Sequence, residues 1–205
     1  MDPFGLYIHV PFCASRCGYC DFNTYTPGEL GGDLTSDYLS ALEKELEMAA
    51  AQVGREAETV FIGGGTPSLL GAEGLGRVLN RVRDTFGLAP GAEVTTESNP
   101  ESTSPEYFAG LLDAGFTRLS LGMQSAAQHV LRILDRTHTP GRASAAAVEP
   151  PGEVTWARSS AASNAEPSRP SPPWPAAGAA RAARRPPPAA LRSYVAGRDR
   201  TGLPS

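Results

Sequence analysis

The only three cysteines of this 205-residue chain fall in one eight-residue stretch, Cys13, Cys17 and Cys20, directly after the apolar run Leu6 to Val10. Thiolates at this spacing face one small volume, and each gains nucleophilicity and metal affinity as it loses its proton. Iron–sulfur clusters usually take four cysteines, so three leave one iron with a position open to a substrate or cofactor. A disulfide would strand the third cysteine, and a chain with no signal peptide seldom keeps one. Zinc is the stronger rival, with His9 as fourth ligand. Zinc sites, however, draw cysteine pairs from two separated loops, and there is no second pair here.

Composition divides the chain in two. Residues 1–143 hold ten basic and eighteen acidic residues and every Cys, Ile and Phe, whereas 144–205 hold eight arginines, four acidic residues and eleven of the nineteen prolines. The net charge of -4 thus joins an acidic head to a basic tail. No apolar run is long enough to span a bilayer, so the expectation is a cytoplasmic protein without a transmembrane segment.

Along the head, strand-like and helical patterns alternate. Leu6 to Val10 reads as a strand. Tyr38, Leu39, Leu42, Leu46 and Ala49 give Thr35 to Ala50 helical spacing, with Ser36 or Asp37 as cap. Thr59 to Ile62 is a second strand, ending at Gly63-Gly64-Gly65-Thr66-Pro67. Leu75, Val78, Leu79, Val82 and Phe86 form a second helical stripe, closed by Gly87 and Pro90. Glu93 to Glu97 is the third strand. Ser104-Pro105 then caps a helix that buries Tyr107, Phe108, Leu111 and Leu112 and ends at Gly115. Arg118 to Met123 is the fourth strand, and Ser125 with Gln128 reads as a capping box for a helix through Leu134.

Four strand–helix units predict a parallel α/β sheet, doubly wound or the beginning of a barrel. The special residues decide for a barrel. The cysteines follow the first strand, the triple glycine the second, Glu97-Ser98-Asn99-Pro100 the third, and Gln124-Ser125 the fourth. A barrel gathers such carboxyl-end loops around one axis, which predicts a single site.

Each candidate there has a chemical role and a plainer one. Gly63, Gly64 and Gly65 let backbone groups approach a ligand's ammonium, or merely make a tight turn. Glu97 can accept from ribose hydroxyls, or be a solvated strand-end charge. Gln124 can meet a carboxylate or another polar edge, or simply start a helix. Arg136 offers a planar fork for a carboxylate, or is a surface arginine. His9, His129 and His138 read as packing or solvent-facing histidines.

The run Tyr7-Ile8-His9-Val10-Pro11-Phe12-Cys13, the cysteine spacing, Tyr19, the GGGTP turn, LSLGMQS and LDRTHT together resemble the radical S-adenosylmethionine enzymes, more narrowly the coproporphyrinogen-III-oxidase-like group. The likeness covers about residues 1–143. It implies the first four units of a TIM-like (β/α) barrel, with a [4Fe-4S] cluster on Cys13, Cys17 and Cys20. It also implies S-adenosylmethionine held by Tyr7, by Gly63, Gly64, Gly65 and Thr66 of the turn, and by Glu97, Gln124 and Arg136. In the family, one electron from the cluster cleaves S-adenosylmethionine to a 5'-deoxyadenosyl radical.

Two departures follow. The oxidases of the group resemble one another in a further cysteine two residues after the third, where Phe22 stands here. That resembles the heme-chaperone (HemW) branch, and implies heme or porphyrin and heme-acceptor proteins as partners. An oxidase that decarboxylates coproporphyrinogen III is the alternative, and an inert fragment the third reading. The second departure is that the resemblance stops after Thr139-Pro140-Gly141-Arg142. Residues 144–205 turn proline- and arginine-rich, as in Arg184-Arg185-Pro186-Pro187-Pro188, and cannot bury enough apolar surface to offset their ordering entropy. A disordered tail is expected, either a natural extension or, as the abrupt loss of periodicity favours, a shifted frame of a GC-rich gene. Nucleic-acid binding is not, since Trp156, Trp174 and Tyr194 are the tail's only aromatics.

Overall fold

The computed structural model describes residues 3–30, 34–125, 127–136, 139 and 141–147, together with the backbone of two short strands at 155–158 and 195–197. His138 and the run 184–188 lie outside the described residues.

Strand β1 (Gly5–Val10) alternates between buried Leu6, Ile8 and Val10 on one face and half-buried Tyr7 and His9 on the other. The short helix α1 (Pro27–Leu30) precedes α2 (Thr35–Val53), and β2 (Ala57–Gly64), α3 (Gly71–Thr85), β3 (Leu88–Ser98), α4 (Pro105–Ala114) and β4 (Arg118–Leu121) follow in turn. Helices α5 (Gln128–Ile133) and α6 (Arg142–Ala146) come next. Strands β1 to β4 are parallel and lie in chain order. A doubly wound sheet would reverse its strand order at a switch point. None does so from β1 to β4, and the apolar faces of α2, α3 and α4 join the buried strand residues in one core. The expected barrel-like sector is therefore found.

Alternation on the strands and the 3.6-residue period on the helices meet in that core. Ile8, Val60, Ile62 and Val94 from the sheet pack with Tyr38, Leu42 and Leu46 of α2, Leu75, Val78 and Leu79 of α3, and Phe108 and Leu111 of α4. Ser104 caps α4 as expected, accepting from the Tyr107 N–H at 3.2 Å, and Gly115 closes it at φ 94°.

Several boundaries differ from the sequence reading. Ser36 and Asp37 lie inside α2, whose N-cap is Leu34 without a side-chain bond. Strand β3 begins at Leu88, so Pro90 stands within it. The register with β2 shifts there, and proline, which has no N–H to give, is tolerated at such an irregularity. Strand β4 stops at Leu121. Ser125 accepts from the Ala127 N–H rather than forming a capping box with Gln128, because the helix starts three residues after Ser125. Leu112 is 38% exposed, at the margin of the stripe expected to bury it.

The folded body also runs past residue 143, since α6 spans 142–146 and Ala146 is fully buried in the core. The open edge expected at β4 carries β5 (Thr155–Arg158), parallel to it, and β1 carries β6 (Val195–Gly197), antiparallel. Both belong to the segment expected to be disordered. Sheet edges present unpaired N–H and C=O groups that bond to any extended backbone, so pairing there asks little of the side chains.

Because Leu79 is wholly buried in the core, Leu79→Ala is expected to cost about 2–5 kcal/mol. Leu112→Ala, at the exposed margin, should cost under about 1 kcal/mol. Urea unfolding of the two variants beside the parent chain measures both.

Candidate functional site

The cysteine loop leaves the sheet through a narrow neck. The Tyr25 N–H donates to the Pro11 carbonyl at 2.7 Å, and the Cys13 N–H donates to the Tyr25 carbonyl at 3.0 Å, so both limbs are tied where the loop begins and ends. The neck rests on the triple glycine: the Gly65 N–H donates to the Val10 carbonyl at 2.7 Å and the Thr66 N–H to the Phe12 carbonyl at 2.6 Å. A Cβ on Gly65 would stand 2.4 Å from the Phe12 carbonyl oxygen, so a side chain there would push the neck off the sheet. Gly64, at φ 111°, adopts a conformation that L-residues avoid. The glycines thus do more than turn the chain.

All three cysteines are free. Cys13 is buried, which pushes its thiol up, while the hydroxyls of Thr66 and Thr24 hold it down in part. Cys17 and Cys20 are half-buried. The loop's outer arm reaches the end of α5: the Gly18 N–H donates to the Leu134 carbonyl at 3.3 Å, and a Cβ on Gly18 would meet the Asp135 carboxylate at 2.6 Å. Among the described residues no three His, Cys, Asp or Glu side chains converge tightly enough to hold a single metal ion. The His9 ring is turned to Tyr7 and Asn23, which weighs against the zinc reading that made it a fourth ligand. A multi-iron cluster spreads its ligand sulfurs more widely than one ion does, and three free thiols on one loop suit it as donors.

The candidate residues form two neighbouring groups. In the first, Arg136 joins Gln124 to the cysteines: its Nε donates to Gln124 Oε1 at 2.8 Å and its Nη1 to Cys17 Sγ at 3.1 Å. Gln124 sits at φ 53° and Asp135 at φ 50°, the two non-glycine residues with positive φ among those described, and they flank this contact. Such strain gathers at functional sites. A cleft of about 230 Å³ opens beside it, lined by Cys17, Thr66, Asn99, Glu101, Asp135 and Arg136 among others. A larger groove of about 680 Å³, near Arg77, Arg81 and Gly110, holds no strand-end residue and is no part of this site.

The second group lies on the half-buried face of β1 to β3. Tyr7 stacks on Phe61 with ring centroids 6.0 Å apart, and its hydroxyl meets His9 Nδ1 at 3.1 Å. Glu97 accepts from the Gly64 N–H at 3.2 Å. Burial pushes its carboxyl above the usual range, against the pull of that bond and of His9. Sequence reasoning missed three participants. His9 reads as a packing or solvent-facing histidine, Glu101 is not singled out by the sequence, and Asn23 enters only through its backbone. Glu101 bonds both the N–H and the hydroxyl of Thr139, and Arg142 donates to the Thr103 carbonyl at 2.6 Å, which fastens Thr139 and Arg142 to the loop after the third strand.

A model of the radical SAM superfamily matches residues 7–147. The heme chaperone HemW of Mycobacterium tuberculosis (strain ATCC 25618 / H37Rv) is 62% identical over 149 residues, 72% of this chain and 38% of that protein. HemW of Escherichia coli (strain K12) is 43% identical over 150 residues, 72% of this chain and 39% of that protein. The bovine mitochondrial radical S-adenosyl methionine domain-containing protein 1 is 40% identical over 134 residues, 65% of this chain and 30% of that protein. The chain therefore spans well under half the length of these relatives. The solved structure of coproporphyrinogen III oxidase (HemN) from E. coli, described as a radical SAM enzyme, is similar with a TM-score of 0.63 and 29% identity, covering 70% of this chain and 33% of that one.

Glu97 carries a testable cost. Its pKa is raised in the folded state, so the stability tied to its protonated form is present at acid pH and is lost as pH rises through the folded value. Glu97→Gln keeps an oxygen for the Gly64 N–H and removes the charge. Its thermal midpoint should exceed the parent's at pH 7, and the gap should close as the pH falls below the usual carboxylate range. Differential scanning at several pH values reads it.

Proposed function

This chain belongs to the radical SAM superfamily, and on that footing we propose that it carries the cluster-binding part of a HemW-type heme chaperone. The observation that carries the reading is the cysteine loop itself, in which three free thiols are followed by an exposed Phe22 rather than by a fourth cysteine. The 62% identity of the M. tuberculosis chaperone supports the same branch.

In this reading Cys13, Cys17 and Cys20 hold a [4Fe-4S] cluster and leave one iron open to S-adenosylmethionine. When bound, that pair supplies one-electron chemistry. The protein's own residues prepare the place. Arg136 brings a guanidinium to the Cys17 sulfur and offers a fork to a carboxylate. Gln124 orients that fork, and Thr66 directs its hydroxyl at Cys13. Gly63 and Gly64 leave room for the Phe61 and His9 rings, and Glu97 offers carboxylate oxygen to hydroxyl or ammonium donors. Tyr7, held on Phe61, walls the same face. Heme and heme-acceptor proteins are the partners this function requires. No helix among the described residues is long and apolar enough to cross a membrane. Free thiols suit the reducing cytoplasm, where we place the protein. The likeness to HemN keeps porphyrin oxidation as the second reading.

Anaerobic reconstitution is expected to load about four irons and four sulfides per chain, the complement of a cubane cluster, and Cys17→Ala to lose them. Full iron and the cluster's visible absorbance in Cys17→Ala would overturn the ligand assignment. Supplied with reductant and S-adenosylmethionine, the chain should not convert coproporphyrinogen III. Product above a cluster-free control would favour the oxidase.

We further propose that the segment after the folded body is read out of frame, since helical and strand periodicity end together just where the similarity does. The encoding DNA, translated in its other two frames beyond the codon for residue 147, should resume the relatives' sequence in one of them. Absence of such a continuation in both frames would show the tail to be native.

A further inference from the structure

We infer that His9 is a positioning residue, whose imidazole ties the return limb of the cysteine loop to the sheet and sets the direction of the Tyr7 hydroxyl. The inference rests on reading the loop as cluster-binding and extends it to a side chain which that reading leaves idle.

His9 Nε2 lies 2.9 Å from the Asn23 carbonyl oxygen, and His9 Nδ1 lies 3.1 Å from the Tyr7 hydroxyl. A carbonyl only accepts, so Nε2 carries the proton. In the neutral ring the other nitrogen is then an acceptor, and the Tyr7 O–H must donate to it. One backbone carbonyl in the loop thereby fixes the tautomer, and the tautomer fixes the hydroxyl. With its hydrogen committed to His9, Tyr7 Oη offers a ligand lone pairs alone. It can accept from an ammonium or a hydroxyl, and a group that needs a donor finds none.

The imidazole is seated by its surroundings. A Cβ at Gly64 would fall 2.4 Å from Nδ1, so the ring occupies the space that the glycine leaves free. On the opposite side of the strand, the buried Tyr38 hydroxyl of α2 donates to the His9 carbonyl at 2.8 Å. The core thus holds the backbone of His9 while its side chain reaches the loop. Asn23 stands three residues after Cys20, and the neighbouring tie on this limb is the Arg16 guanidinium on the Thr24 carbonyl at 2.7 Å, from an arginine half exposed to solvent. His9 supplies the side-chain link from the sheet to this limb at Asn23, beside the backbone ties that Tyr25 makes to Pro11 and Cys13.

The tautomer is measured without any cluster. Long-range ¹H–¹⁵N spectra of the chain as isolated should show one histidine protonated at Nε2 and bare at Nδ1, and those signals should vanish in His9→Gln. An Nδ1-protonated His9 would overturn the proposal. Three variants then separate the two ties. His9→Gln keeps a donor toward Asn23, His9→Phe keeps the ring and neither bond, and Tyr7→Phe removes only the hydroxyl. After anaerobic loading, a chelator should strip iron from His9→Phe roughly 10- to 100-fold faster than from the parent, the usual effect of losing an orienting partner behind a metal ligand. His9→Gln should release iron at nearly the parent rate. In equilibrium dialysis it should bind S-adenosylmethionine as weakly as Tyr7→Phe does. Parent-like iron release from His9→Phe, or identical losses of both properties in His9→Gln and His9→Phe, would reduce His9 to packing. Should His9→Phe fail to fold, as circular dichroism would show, the tautomer and His9→Gln still decide. A parent chain that loads no cluster would refute the cluster reading, and the tautomer would still judge His9.

Discussion

The neck of the cysteine loop is the constraint on which the site depends. Two N–H groups, of Gly65 and Thr66, reach across to the carbonyls of Val10 and Phe12, beyond the last register pair of β1 and β2. The sheet's hydrogen bonding is thereby carried past its edge into the first residues of the loop. The contact allows no Cβ at Gly65, and it brings the Thr66 hydroxyl within 3.8 Å of the Cys13 sulfur. The first thiol is held at the sheet in this way, while Cys17 and Cys20 stand further out on the loop and are less buried.

Cys17 is held from the far edge of the sheet. Gly18 meets α5 through the Leu134 carbonyl, and Arg136 meets Cys17, so the loop bridges from β1 to the segment that follows β4. Such a bridge needs the strand ends level with one another, and the parallel register supplies this: Ile62 stands beside Thr96, and Thr96 beside Leu119. The match to the radical SAM superfamily runs to residue 147, past the last of these contacts at Arg136.

Much of this was legible because the strongest signals are local. Alternation in Leu6 to Val10, the helical stripe of α3 and the Ser104-Pro105 cap each state their structure within a few residues, and the structure follows them. The carboxyl-end placement of the cysteines, glycines, Glu97 and Gln124 needed only the order of elements. What escaped was set by distant partners. Pro90 sits in a strand because the β2 pairing shifts around it. His9 acquires its role from Asn23 in the loop and from the space at Gly64, and neither partner is visible in the residues beside it. The edge strands at 155–158 and 195–197 escaped for a different reason, since backbone pairing to a free edge leaves almost no signature in composition.

The two faces of the sheet divide the costs of this arrangement. On the helix-covered face, Ile8, Val60, Ile62 and Val94 bury apolar surface with α2, α3 and α4 and supply most of the stability. The opposite face and its strand ends carry features that oppose folding: a carboxylate desolvated at Glu97, left-handed backbone at Gln124 and Asp135, and glycines whose freedom is lost. These unfavourable features cluster where the candidate ligands lie, with the core directly behind them. Tyr38 joins the two directly, because the ring that packs in the core also sends its hydroxyl to the His9 backbone. A change in α2 packing would therefore be felt at the cysteine loop through Tyr38, which bonds the His9 carbonyl and packs edge-on against Phe12 at the neck of the loop, with ring centroids 5.1 Å apart.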